Sequence, residues 1–206
     1  MLRAQSDEMN NQTIITFGGL AALLIFRGMV LYDHSQNEQA ESCYPITSKE
    51  LRREKAPKFE DFPARENVTS PASVDLKSHR LARTYRTQLR RGAARGPNFG
   101  AYYTVVGWGC GTSCVSFAIV NARTGRVIFP ERISNVSGVH LHADDFEPGT
   151  NSPYWGLRYR LDSRLLILVG SLNEDEEREG AFYYVMENDR LRPVFSVRVR
   201  KRYCER

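Results

Sequence analysis

Short apolar segments separated by turn residues fill the second half of the chain and restrict its fold more than any other feature. The segments "AYYTVVGW" (101–108) and "CVSFAIVN" (114–121) are rich in β-branched and aromatic residues, which is typical of β-strands. Similar segments recur as far as residue 203, and dipeptides that favour tight turns lie between them. These turns are predicted at Thr124-Gly125, Asp162-Ser163 and Asn188-Asp189. The pattern predicts a mainly β fold of seven or eight short antiparallel strands, built as a sheet, a sandwich or a partial barrel.

After the first two strands, the predicted strands are shorter and less evenly spaced. A long loop is expected over residues 131–153, with a possible short strand in "GVHLH" (138–142). Near the end of the chain, "RLRPVF" (190–195) and "VRVRKRY" (197–203) are predicted as separate strands. A closed propeller is excluded because it needs at least four blades, and the chain has room for two.

One amphipathic helix is predicted over residues 74–95, packed on the sheet. Leu81, Tyr85 and Leu89 recur every four residues and form an apolar face. Asp75 suits the helix start, and Gly92 suits its end.

The first third of the chain divides into an apolar segment and a polar one. Residues 13–32 are mostly apolar with Arg27 as the single charge, which indicates a signal or membrane-anchor helix. Residues 33–73 are polar and proline-containing, and they are predicted as a linker or arm that docks through Phe59, Phe62 and Val68. The helix and strands occupy residues 74–206. This organisation predicts a protein outside the cytoplasm, periplasmic or secreted, with residues 13–32 as a candidate membrane anchor.

Four cysteines are present, which is an even number. In an exported protein we expect Cys110 and Cys114 to form a disulfide across a turn, with Cys43 and Cys204 as a second pair. The sequence leaves two alternatives open for "GWGCGTSC" (107–114), a reactive thiol and half of a metal site.

A second candidate for metal binding is "VHLHADD" (139–145). His140 and His142 would share one face of a strand, with Asp144 close by. These are only weak metal candidates, because a solvated polar loop has the same composition. No cofactor is predicted.

Arginines and aromatic residues are the candidates for binding. Arg83, Arg86 and Arg90 fall on the polar face of the predicted helix. Tyr102, Trp108 and Trp155 are candidate walls of a groove for glycan or peptide. The net charge of +5 is mild, so the clustering of cations carries more information than their sum. An anionic lipid surface, an anionic glycan or an acidic protein would fit such a face, and nucleic acid is not expected.

Asp162, Ser163 and Arg164 form a further polar group in "YRLDSRLLILVG" (159–170). Asp-Ser is an ordinary turn start, and Arg164 could pair with Asp162 or with a neighbouring strand. The sequence shows no nucleophile elbow around Ser163.

Several of these segments together resemble an uncharacterised family of bacterial secreted or lipoprotein-like proteins. The resemblance rests on "YRTQLRRGAARGPNFGAYYTVVGWGCGTSC", "FAIVNARTGRVIFP" and "YRLDSRLLILVG", and it spans roughly residues 56–196. It implies an exported, mainly β domain and carries no known activity. Ala101-Tyr102-Tyr103 stands where the family pattern has Gly-His-Tyr.

No complete catalytic set is visible in the sequence. We therefore predict an exported, disulfide-stabilised β-domain that acts as a binding module at the cell envelope. One alternative is a hydrolase or metal-dependent enzyme that uses Cys110 or Cys114 with His140 and His142. The other is a purely structural envelope protein.

Overall fold

The computed structural model describes residues 54–65, 70–138 and 156–198. Several sequence predictions concern residues outside these ranges. They are the apolar segment 13–32, Val68, Cys43, Cys204, the "GVHLH" strand from residue 139 onward, and Trp155.

Eight antiparallel strands form one open sheet, which confirms the predicted class. The strands are β1 (Tyr103–Gly111), β2 (Cys114–Asn121), β3 (Val127–Ile128), β4 (Asn135–Ser137), β5 (Leu157–Tyr159), β6 (Leu165–Leu172), β7 (Glu179–Glu187) and β8 (Arg190–Arg198). Their order across the sheet is β1-β2-β4-β6-β7-β8, with β3 paired to β2 and β5 paired to β6. One α-helix, α1 (Arg86–Ala93), and two 3-10 helices, Phe59–Asp61 and Glu176–Arg178, complete the described elements.

The main core lies on one face of the sheet, here called the inner face. It contains residues of seven strands, among them Val105, Phe117, Val136, Leu168 and Phe182. Because these side chains form a single buried cluster, the sheet curls so that its own strands cover this face.

A cluster of hydrogen-bonded side chains stabilises the curled sheet, because it joins the β7–β8 turn to strands β1 and β2 at the other end of the strand order. The β7–β8 turn carries Asp189, whose Oδ1 accepts hydrogen bonds from the Tyr103 hydroxyl at 2.9 Å and from Asn121 Nδ2 at 2.8 Å. Tyr103 begins β1 and Asn121 ends β2, so the first hairpin is tied to the last. The pKa of Tyr103 is raised, mainly because the phenol is buried and also because it hydrogen-bonds with Tyr102 and Asp189. The phenol therefore stays protonated and donates at all ordinary pH values.

The opposite, outer face carries two smaller cores. Helix α1 covers the β1–β3 end, where Leu89 packs with Val106, Ala118, Val120 and Val127.

Residues 56–62 cover the β6–β8 end of the outer face. Phe59 is fully buried there against Ile167, Tyr183 and Val185, and Phe62 packs at its margin. These two aromatic residues dock as the sequence predicts.

The helix is shorter than predicted, and this is a correction to the 74–95 range. Residues 76–85 form successive turns, and regular helix begins at Arg86. Side chains bind the backbone in that stretch: Asp75 Oδ1 accepts from Lys77 N, and His79 Nδ1 accepts from Leu81 N. The Ser78 hydroxyl donates to Asp75 O and accepts from Val127 N on β3. Such bonds compete with helical hydrogen bonding, which explains the late start.

Two strand predictions also need correction. Strand β4 lies in the region predicted as a long loop. Its three residues pair with β2, and Val136 and Ser137 also pair with β6. The two strands predicted after residue 190 are one strand, β8, at least as far as Arg198. A bulge at Val194 keeps its pairing with β7 while the side chains change face, which disturbs the alternation in the sequence.

Among the residues that the structure describes, no helix is long and apolar enough to cross a membrane.

Candidate binding cleft

The "GWGCGTSC" segment forms the β1–β2 hairpin and contains a Cys110–Cys114 disulfide. The predicted bridge is thus confirmed, and neither sulfur is a free thiolate for catalysis or metal binding. The hairpin tip, Gly109–Ser113, is exposed. Cys114 Sγ lies 3.6 Å from a carboxylate oxygen of Glu174. A disulfide sulfur has no hydrogen to donate, so this is a van der Waals contact.

A cleft of about 400 Å³ lies on the outer face beside this hairpin. Its walls come from the turns before α1, from Trp108 and Ser116, and from the loop Phe129–Ser134. Trp108 and Ser116 are cross-strand partners on β1 and β2, so their side chains emerge side by side. The volume falls within the range of about 300–1,000 Å³ that is usual for small-molecule sites.

Four aromatic rings form an apolar wall of the cleft. Tyr85 stacks on Trp108 with ring centroids 4.4 Å apart, and His79 stacks on Phe129 at 4.6 Å. The two pairs meet at Phe129, whose ring centroid lies 6.0 Å from that of Tyr85 and 6.3 Å from that of Trp108. Rings that already stack on one another leave no slot between them, so a ligand would lie against the wall.

Charged side chains at this cleft have no partner within the described residues. Arg80 and Arg132 line it together with Glu131, and no ion pair involves any of the three. The Ser116 hydroxyl and the Trp108 indole N–H likewise make no hydrogen bond to the described residues.

The protonation of His79 adds another donor. Its Nδ1 accepts a hydrogen bond from Leu81 N at 3.2 Å, so in the neutral ring the proton resides on Nε2. Both guanidinium groups, the imidazole and the indole therefore offer N–H donors, while Glu131 is the one carboxylate among the described residues that line the cleft.

Asn173 holds the outer loop of the cleft in place. Its Oδ1 accepts from Ser134 N at 2.7 Å, and its Nδ2 donates to Arg132 O at 2.9 Å. Arg132 has a positive φ of 61°, a conformation that non-glycine residues adopt rarely. These bonds compensate for that cost and fix the backbone from which Glu131 and Arg132 project.

The segment that supplies most of the cleft-lining residues is cationic. Between Asp75 and Glu131 the sequence has no Asp or Glu but nine Lys and Arg residues: Lys77, Arg80, Arg83, Arg86, Arg90, Arg91, Arg95, Arg123 and Arg126. Of these, Arg80 lines the cleft, whereas Arg123 lies over Tyr102 and Arg126 lies 3.8 Å from Asp189.

The structure separates the binding residues that the sequence proposes together. Arg83, Arg86 and Arg90 are exposed, but only Arg86 and Arg90 are helical. Trp108 lines the cleft, whereas Tyr102 packs beside the inner core under the Arg123 guanidinium. One groove containing both rings is therefore not formed.

The predicted metal candidates His140, His142 and Asp144 lie outside the described residues. Within the ranges that are described, no group of three or more His, Cys, Asp or Glu side chains could hold a metal ion.

The Asp162-Ser163-Arg164 group anchors residues 58–64 to the sheet. The buried Ser163 hydroxyl donates to Phe59 O at 2.7 Å, and Arg164 N donates to Phe62 O at 2.8 Å. Arg160, and not Arg164, pairs with Asp162, and it also reaches Glu60. Arg164 lies 3.9 Å from Glu187 on β7. These contacts give the group a structural role.

Sequence reasoning missed Arg80, Glu131 and Arg132 as a site. Arg80 lies 51 residues before the adjacent pair Glu131 and Arg132, and no local spacing links it to them. The one signal was the run without acidic residues, which ends at Glu131.

No protein-family model, no curated protein and no solved structure matches this chain. The resemblance to a bacterial secreted family therefore stays a prediction.

Proposed function

We propose that this protein is an exported, disulfide-stabilised binding module of the cell envelope, and that its cleft binds an anionic ligand without transforming it. The observation that carries the proposal is the pair of guanidinium groups, Arg80 and Arg132, that line one cleft and have no carboxylate partner among the residues that the structure describes. Guanidinium groups recognise carboxylate and phosphate through two parallel hydrogen bonds. Arg160, by contrast, is paired with Glu60 and Asp162.

The enzymatic alternative required a free thiol at Cys110 or Cys114. The disulfide between them withdraws both sulfurs from nucleophilic attack and from metal ligation. A purely structural role leaves unexplained an open cleft whose charged side chains have no partner in the described part of the chain.

Location outside the cytoplasm is part of the same proposal. It is supported by the apolar residues 13–32 and by a disulfide with an exposed tip, which cytosolic thiol systems would keep reduced. Mass mapping of the protein from its native host, without reductant, tests this. We expect Cys110 and Cys114 to be linked, and finding both reduced would contradict an exported protein.

Anion binding is tested by calorimetry on the full chain. The probes are inorganic phosphate, sulfate and methyl glucuronide, and the test variant is Arg80→Gln/Arg132→Gln. The matched control is Arg90→Gln/Arg91→Gln, which removes the same charge from α1 outside the cleft. We expect the test variant to weaken binding at least tenfold and the control to change it by less than about twofold, since single exposed charges act weakly. Equal losses in the two variants would show non-specific attraction only.

A further inference from the structure

We infer that the ligand of this cleft is an acidic sugar, a pyranose that carries a carboxylate. This inference deepens the proposed function and rests on it. It comes from three properties of the cleft that a simple anion does not satisfy together.

The first property is the mixture of charges. Glu131 lies in the same cleft as Arg80 and Arg132 without pairing to either. A carboxylate only accepts hydrogen bonds and repels a second anion. A ligand that fits must therefore bring an anionic group for the guanidinium groups and hydroxyl donors for Glu131, and the two must be separated by a short rigid frame.

The second property is the aromatic wall. Stacked rings present an extended apolar surface, formed by Trp108 with Tyr85 and by Phe129 with His79. A pyranose has an apolar C–H face and polar hydroxyl groups around its rim. Laid against the wall, it would bury that face while its rim meets the Ser116 hydroxyl, the indole N–H and Glu131. Inorganic phosphate has no apolar face, and an aromatic acid has no hydroxyl donors.

The third property is size. A cleft of about 400 Å³ has room for one small ring compound. An acidic sugar could reach the cleft free or as the end of a glycan, and the chemistry recognised is the same.

Calorimetry with matched ligands tests the inference on the full chain. Methyl β-glucuronide has the carboxylate and the hydroxyls, methyl β-glucoside lacks the carboxylate, and benzoate has a carboxylate on a flat ring without hydroxyls. We expect the glucuronide to bind at least tenfold more tightly than either of the others. If an isolated glucuronide binds and a glucuronide-terminated oligosaccharide binds more tightly, the source is a glycan.

The variant Glu131→Ala separates this inference from the proposed function. We expect it to weaken glucuronide binding about fivefold or more, as expected for a lost charged hydrogen bond, and to leave phosphate binding unchanged or stronger. If benzoate or phosphate binds as tightly as the glucuronide, and Glu131→Ala does not change the affinity for the glucuronide, the sugar assignment is wrong while anion binding stands. If none of the probes binds, both are wrong.

Discussion

Single polar side chains determine how the outer segments attach to this sheet, and Ser163 is the clearest example. Its buried hydroxyl donates to Phe59 O and accepts from Leu165 N. Ser163→Ala leaves Leu165 N without this acceptor in a buried position, and it leaves Phe59 O with only the 3.2 Å bond from Phe62 N. We expect a loss of about 1–3 kcal/mol in the free energy of unfolding, measured by urea denaturation. Ser196→Ala on exposed β8 is the control and should be neutral. Equal losses of unfolding free energy in the two variants would show that the Ser163 hydroxyl does not hold residues 58–64 on the sheet.

Asp189 acts at the same scale, as the acceptor that ties the last hairpin to the first. Both turn residues, Asn188 and Asp189, have positive φ angles, 50° and 59°, so alanine is strained equally at each. Only Asp189 accepts from Tyr103 and Asn121. We therefore expect Asp189→Ala to cost about 2–3 kcal/mol more than Asn188→Ala in urea unfolding. Indistinguishable variants would contradict a role for Asp189 in the curl of the sheet.

Sequence reasoning identified Ser163 and Asp189 as turn residues, and it could go no further. Asp-Ser and Asn-Asp are local turn signals, but the partners of these side chains lie 104 and 86 residues away. Such distances are set by how the sheet curls, and no local pattern encodes them.

At the scale of elements, helix α1 depends on a close approach to β1. Gly92 was expected to end the helix, but it lies within α1, and a Cβ there would come within 2.5 Å of the Val106 side chain.

We predict that Gly92→Ala destabilises the protein by about 1–3 kcal/mol through overpacking, although alanine favours helix by about 1 kcal/mol. Gly109→Ala is the control, since a Cβ there meets nothing within 4 Å. Thermal unfolding that shows a gain in stability for Gly92→Ala would mean that the helix stands further from β1.

The stability contributed by the Arg160–Asp162 pair, which lies beside residues 58–64, should depend on pH. The hydrogen bond from Arg160, opposed by partial desolvation, lowers the pKa of Asp162 below its ordinary 3.8. A carboxylate whose pKa is lower in the folded state stabilises the protein above its unfolded pKa, and that contribution disappears as the pH falls through the folded value.

Wild type should therefore exceed Asp162→Asn in unfolding free energy near neutral pH, and the difference should shrink below pH 3.8. High salt should reduce the difference because the pair is exposed. Urea titrations across this pH range measure it. A difference that is constant with pH would show that the charge on Asp162 is not involved.

For the whole molecule, the pattern of short apolar segments was enough to predict the fold class and most strands, and the even number of cysteines led to the Cys110–Cys114 bridge. The pattern did not predict β4, whose three residues are too few to show a period. The cleft was also beyond prediction, apart from Trp108. It arises where turns before α1, the first hairpin and the Phe129–Ser134 loop converge, and each contributes residues that look like ordinary surface in the sequence.

Anion capture in this cleft is tested most directly through the Trp108 indole N–H, which lies in the cleft and makes no hydrogen bond to the described residues. The chain has two tryptophans, so Trp155→Phe leaves one indole signal in a proton–nitrogen NMR spectrum. Titration with methyl glucuronide should shift this signal to saturation, and the additional change Arg80→Gln/Arg132→Gln should abolish the shift. A signal that stays fixed while ligand binds, or that moves equally in both proteins, would contradict binding by these two arginines.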